Sequence, residues 1–164
     1  MAETKTPPPR MELTWDLSRS HRVEDVDWPA DRAGTQRFLE GDIALTLKLP
    51  GRTLRTELAD VRVERKDGEV AVLQLREHAR TLDEVYAEIQ KRIKELDLPR
   101  RDLDQWYQDA KSGDFRKDRT FAARRNDLVP ALSLEIRHSY QPERPWYLSW
   151  EIAWPTIVEP APRR

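Results

Sequence analysis

Three tryptophans, Trp146, Trp150 and Trp154, recur every four residues near the end of the chain. On a strand that spacing puts all three on one face, with Tyr140 opposite them across a turn. Such a stripe has two uses. It can stack a sugar ring or an amphipathic small molecule, or it can cover a sheet face beneath helices. The second use carries more weight, because Leu148 and Ile152 share the same face. Trp146, nearest the turn, is the ring expected to reach solvent.

Two charged segments come next. Glu24, Asp25, Asp27 and Asp31 crowd an acidic stretch around Trp28. A calcium loop of the EF-hand type needs glycine at its sixth position, and counting from Asp25 that position is Ala30, so the pattern fails. An acidic surface for a basic partner fits better. Further on, Lys111, Arg116, Lys117, Arg119, Arg124 and Arg125 interleave with Phe115 and Phe121. Asp114 and Asp118 dilute this run and no RNA-binding motif accompanies it, so nucleic acid is not the expected partner.

The remaining chemistry is excluded by type. The three histidines, His21, His78 and His138, show no metal-ligand spacing, and His138 reads as a core histidine. Zero cysteines remove thiol catalysis, thiolate-bound metals and disulfides. Five glycines form neither a dinucleotide-binding nor a phosphate-binding loop, and no serine sits in a nucleophile elbow. No metal and no cofactor is expected.

The elements that must position these residues follow from periodicity. The chain has 164 residues, enough for one domain. Apolar residues make up 38% and charged residues 36%, and 29 basic against 30 acidic groups leave a net charge of −1. That balance argues against a general binder of nucleic acid or anionic membrane. No apolar run is long enough to span a bilayer. Residues 1–10 read as a flexible proline-rich arm, 11–158 as a single domain and 159–164 as a flexible tail.

Met11 to Leu17 alternates apolar and polar residues, as a half-buried strand does. Residues 18–42 are harder to read, and a short strand is expected near Arg22–Trp28 or Thr35–Glu40. Ile43–Leu49, Leu54–Leu58, Val61–Val63 and Ala71–Leu75 make an antiparallel meander. Pro50-Gly51 suits its first turn and Lys66-Asp67-Gly68 a later three-residue loop. The apolar phase slips at Ala59-Asp60, which predicts a bulge. Thr81-Leu82-Asp83-Glu84 is a capping box opening a helix that ends before Pro99, and a shorter helix spans Arg101–Ser112 with Gly113 as its cap. A short strand near Thr120–Ala123 precedes the last hairpin. There the alternation pairs Tyr140 with Trp146, Ile136 with Trp150 and Leu132 with Trp154.

The expected fold is α+β: an antiparallel sheet of about six or seven strands, a meander plus a C-terminal hairpin, with two consecutive helices packed on one face. The expected function is a small, non-enzymatic bacterial protein-interaction module, an adaptor, inhibitor or immunity-type protein. The motivation is the absence of any catalytic motif together with a surface rich in both charges. Its contacts are placed on Glu24, Asp25, Asp27 and Trp28 and, at the hairpin tip, on Arg144 and Trp146. The alternative is a ligand-binding module using Tyr140, Trp146, Trp150 and Trp154 for a glycan or an amphipathic small molecule. A bacterial source rests on 22 arginines against 7 lysines and a single asparagine, a composition of GC-rich genomes. A cytoplasmic location is expected, or a periplasmic or tethered one if a segment precedes residue 1.

Overall fold

Alternating leucines turn the middle of the chain into two long paired strands, and the rest of the sheet is added on either side of them. In the computed structural model, residues 10–26, 38–112, 121–139 and 142–155 are described. Strand β1 (Met11–Asp16) leads to a 3-10 turn (Val23–Asp25). Then come β2 (Phe38–Leu49), β3 (Arg52–Lys66) and β4 (Glu69–Glu77), helices α1 (Leu82–Leu96) and α2 (Leu103–Ser112), and β5 (Ala122–Arg125), β6 (Ala131–His138) and β7 (Trp146–Ala153). The seven strands form one sheet in the order β1-β2-β3-β4-β7-β6-β5. The α+β class is thus as the sequence implies.

The sheet is mixed rather than wholly antiparallel, because β1 pairs with β2 in parallel. Parallel neighbours need a long connection, and the segment that resists reading as regular structure is that connection. Its expected strands resolve differently. Thr35–Glu40 overlaps the start of β2. Arg22 makes only an isolated bridge to Glu69 before the 3-10 turn. Residues 27–37 lie outside the described residues.

Two hydrogen bonds reveal how the sheet curves. Leu17 N–H donates to Lys48 C=O at 2.8 Å, and Val70 N–H donates to His21 C=O at 2.7 Å. The four steps from Leu17 to His21 reach at most about 15 Å. Lys48 pairs with Thr53 and Val70 with Arg65, at opposite ends of β3. A straight strand would hold those ends about 40 Å apart. The sheet therefore coils back on itself, with its apolar face inward. The bend lies at paired irregularities: Gly41-Asp42 on β2 faces Ala59 on β3, where the phase slip predicts it. Gly41 has φ +144, a conformation that strains any L side chain, and a Cβ there would come 3.1 Å from Met11 Cε, which would have to shift by a few tenths of an ångström.

Inside the coil Trp15, Leu39, Ile43, Leu47, Leu58 and Leu73 are fully buried. α1 closes the remaining side along β7 with Val85, Ile89, Ile93 and Leu96. Its N-terminus carries the expected capping box: Thr81 Oγ1 accepts from Glu84 N–H, and the Glu84 carboxylate accepts from Thr81 N–H. Asp97, in the left-handed conformation, ends it. α2 begins at Leu103, and its cap at Gly113 lies outside the described residues.

Two registers differ from the sequence reading by two residues. A three-residue loop at Lys66-Asp67-Gly68 would set Val63 opposite Ala71 and Val61 opposite Leu73; the β3–β4 loop is instead the two-residue turn Asp67-Gly68, both with positive φ, and Ala71 bulges, so Val63 meets Leu73 and Val61 meets Leu75. In the last hairpin His138, not Tyr140, faces Trp146, and Leu134 faces Trp150. A shift of two keeps every side chain on its expected face, which is why the face assignments survive.

Candidate functional site

The inner face uses the aromatic stripe as core. Trp146, Trp150 and Trp154 are 6%, 1% and 6% exposed. Trp146 meets Trp106 edge-on at 5.1 Å and Trp154 stacks on His21 at 5.1 Å. The indoles thus present no open stacking platform, and Trp146 is not the solvent-reaching ring expected near the turn. A backbone bridge to Arg80 and the cover of α2 shut it in. Tyr140 lies outside the described residues. His138 is corrected in the other direction. It is exposed at the end of β6, edge-on to Trp146 at 5.2 Å.

Beneath α1 this core holds one carboxylate. Glu77 continues the inward phase of Leu73 and Leu75 and is 1% exposed. Its Oε2 accepts from Trp150 Nε1 at 2.7 Å and its Oε1 from Arg80 at 3.2 Å. Burial raises its pKa above the ordinary glutamate value, opposed by the Trp150 bond and by Arg92 and Arg80. Arg92 is buried on the inward face of α1, bonds Glu88 at 3.0 Å and lies over the Trp150 ring at 5.9 Å. Glu88 also reaches Arg80 at 3.5 Å. Two acids and two guanidinium groups thus tie α1 to β4 and β7.

The outer face of the same strands is open. Alternation that sends Val61, Leu75 and Trp150 inward sends Arg62, Gln74, Arg76, Tyr147, Ser149 and Glu151 outward. They line a shallow concavity of about 430 Å³ that Phe38, Asp60 and Glu135 complete. Arg76 bonds Asp60 at 2.5 Å and lies over the Tyr147 ring at 5.6 Å. Arg137 and Arg124 both hold Glu135, at 2.9 and 3.1 Å. Desolvation raises the Asp60 pKa despite Arg76. At the β2 end Arg62 lies over the Phe38 ring at 5.7 Å, and Phe38 is 46% exposed. Leu39 turns inward, so its neighbour Phe38 must turn outward.

Comparison with protein-family models, curated proteins and solved structures gives no match. The chemistry of this chain therefore rests on its own residues.

The contact residues chosen from sequence are not brought together. Glu24, exposed, and Asp25 lie in the 3-10 turn beside the β3–β4 turn, where Val23 N–H donates to Gly68 C=O at 3.1 Å. Asp25 accepts from Ser20 Oγ and Arg22 N–H, so it serves that turn. Arg144 is exposed at the far end of β7, in a cleft with His78 and His138. Asp27 and Trp28 lie outside the described residues, as do Arg116, Lys117 and Arg119. The described members of the basic run serve the fold. Arg125 holds Asp127 and donates to Asp97 C=O at 2.9 Å, finishing α1, and Arg124 holds Glu135.

Among the described residues no three His, Asp or Glu side chains gather to hold a metal ion, and no helix is long and apolar enough to cross a membrane. Sequence reasoning missed both the outer face and the Glu77 cluster. The signal for the cluster was present: Glu77 keeps the phase of Leu73-Leu75, and Arg92 keeps that of Val85, Ile89 and Leu96.

Proposed function

We propose that the chain is a small, non-enzymatic interaction module, and that a protein partner docks on the outer sheet face around Phe38 and Arg62. The observation that carries this is Phe38, a large aromatic ring 46% exposed at the rim of an otherwise polar concavity, with a guanidinium over it. Aromatic and arginine side chains are the enriched types at interface centres. Arg76 on Tyr147 repeats the combination on the next two strands of the same face, β4 and β7. Both arginines already lie over a ring, so less side-chain freedom is lost on docking than for a free arginine. The partner that fits offers an apolar patch for Phe38 and a carboxylate for Arg62. Roles as an adaptor, an inhibitor or an immunity-type protein all use such a face, and the arginine-rich, asparagine-poor composition supports a bacterial source.

The test places a photoreactive phenylalanine at position 38, with a second version carrying it at Lys91 on the solvent side of α1. Irradiation in extracts of the source cell is expected to give one discrete adduct from position 38, lost when excess unmodified protein is added as competitor and retained when the Arg62→Glu variant is added instead. No adduct, or the same adduct from position 91, overturns the reading. An adduct at twice the chain mass would name a second copy of this chain as the partner and overturn docking of a different protein.

A further inference from the structure

β4 stops at Glu77, opposite Leu58, whereas β3 continues to Arg52. From Arg52 to Glu57, β3 therefore has β2 on one side and no paired strand on the other among the described residues. Arg80 and α1 lie beside this free stretch. Between them is a cleft of about 400 Å³, lined by Arg10, Arg55, Arg80 and Arg92 and by only two acids, Glu57 and Glu88. The lining thus has an excess of two positive charges.

Arg10 pairs with Glu57, Arg80 with Glu77 and Glu88, and Arg92 with Glu88 and Glu95. Arg55 has no ion pair among the described residues. Thr56 lines the same cleft and is 5% exposed. Its Oγ1 is the one buried side-chain polar atom among the described residues that has no hydrogen-bond partner. Native folds rarely leave a buried hydroxyl unpaired, because it has lost its water and gained nothing. A valine has the same shape and would avoid that cost. Arg55 and the Thr56 hydroxyl are thus the two polar side-chain groups of the cleft lining without a charge or hydrogen-bond partner among the described residues, and an oxyanion would satisfy both.

We propose that this cleft, which opens along the unpaired edge of β3, binds a small molecule through an oxyanion group, a carboxylate or a phosphate, with exposed Arg55 supplying charge from the outer side of that edge and inward Thr56 Oγ1 a hydrogen bond. The site shares no residue with the patch around Phe38 and Arg62, so the two readings stand or fall separately. A ligand there sits against Arg80, Glu88 and Arg92 and thereby touches the charge cluster that holds α1 to the sheet.

The experiment follows the melting temperature of the full chain against added inorganic phosphate and, separately, succinate, with ionic strength held constant by chloride. The wild type is expected to show a saturable rise with at least one of the two, and which one responds separates phosphate from carboxylate recognition. Thr56→Val is expected to melt about 2–4 °C higher without ligand, since it removes the unpaired hydroxyl, and to bind at least fivefold more weakly. Arg55→Gln is expected to keep the unliganded melting temperature and to bind about tenfold more weakly. No saturable rise with either anion overturns the proposal, as does equal binding by both variants and the wild type. A lower melting temperature for Thr56→Val also overturns it, because the hydroxyl would then have a partner within the protein or its bound water.

Discussion

Glu77 is the residue whose placement says most about how this chain uses charge. A carboxylate buried against Trp150 has its pKa raised by burial, so ionising it costs more in the folded state than in the unfolded chain. Its contribution to stability is complete below the ordinary glutamate pKa and is lost as pH rises through the raised value. Glu77→Gln removes that penalty. Relative to wild type the variant is therefore expected to gain stability progressively as pH rises above the ordinary glutamate pKa, measured by urea unfolding at each pH. A constant difference across that range would show that Glu77 keeps an ordinary pKa. At the outer face, Phe38→Ala removes a ring that is half in water. It is expected to change stability by less than about 1 kcal/mol while failing, as an unlabelled competitor, to suppress the adduct formed from position 38, a combination no core residue would show. Residues of this kind are hard to read from sequence. An outward phenylalanine next to an inward leucine breaks the alternation, and only the neighbouring strands reveal which of the two faces the core.

At the scale of elements, the two helices are joined by a reciprocal arrangement. Tyr86 on α1 stacks on Tyr107 of α2 with ring centres 3.9 Å apart. Each phenol donates to an aspartate on the other helix, Tyr86 to Asp104 and Tyr107 to Asp83, both at 2.5 Å. These bonds raise both tyrosine pKa values. The stabilisation they give is present below the ordinary tyrosine pKa and disappears as pH rises through the raised one. Absorbance titration at alkaline pH is expected to show two late-ionising phenols, one of which returns to the ordinary range in Asp104→Ala. At the start of α1, Thr81→Ala removes the cap and is expected to cost about 1 kcal/mol by chemical unfolding. The capping box, both helices, the Ala59 bulge and the meander were legible because each depends on local spacing. The parallel pairing of β1 was not, because nothing in its six residues records what lies at the far end of a long connection. The two-residue register shifts escaped for a related reason: periodicity fixes a strand's face, but turn geometry fixes its register, and Ala71 and Ser139 carry no turn signature.

For the whole molecule, coiling of the sheet gives each face one task. The inner face takes the indoles, leucines and the Glu77 cluster, and α1 seals it. The outer face of β3, β4, β7 and β6 stays open, polar and studded with ring-backed arginines. The aromatic stripe misleads at the sequence level because tryptophan serves a core and a binding platform equally well, and only burial separates the two. The coil depends on its bend. Gly41→Ala is expected to destabilise the chain by about 1–3 kcal/mol, since its φ of +144 and the nearby Met11 both resist a side chain. Hydroxyl-radical footprinting of the free protein tests this assignment of faces most directly. The account predicts rapid oxidation of Phe38, with Trp15 and Trp150 protected until the chain unfolds. Oxidation of Trp150 in the folded protein at a rate like that of Phe38 would contradict it.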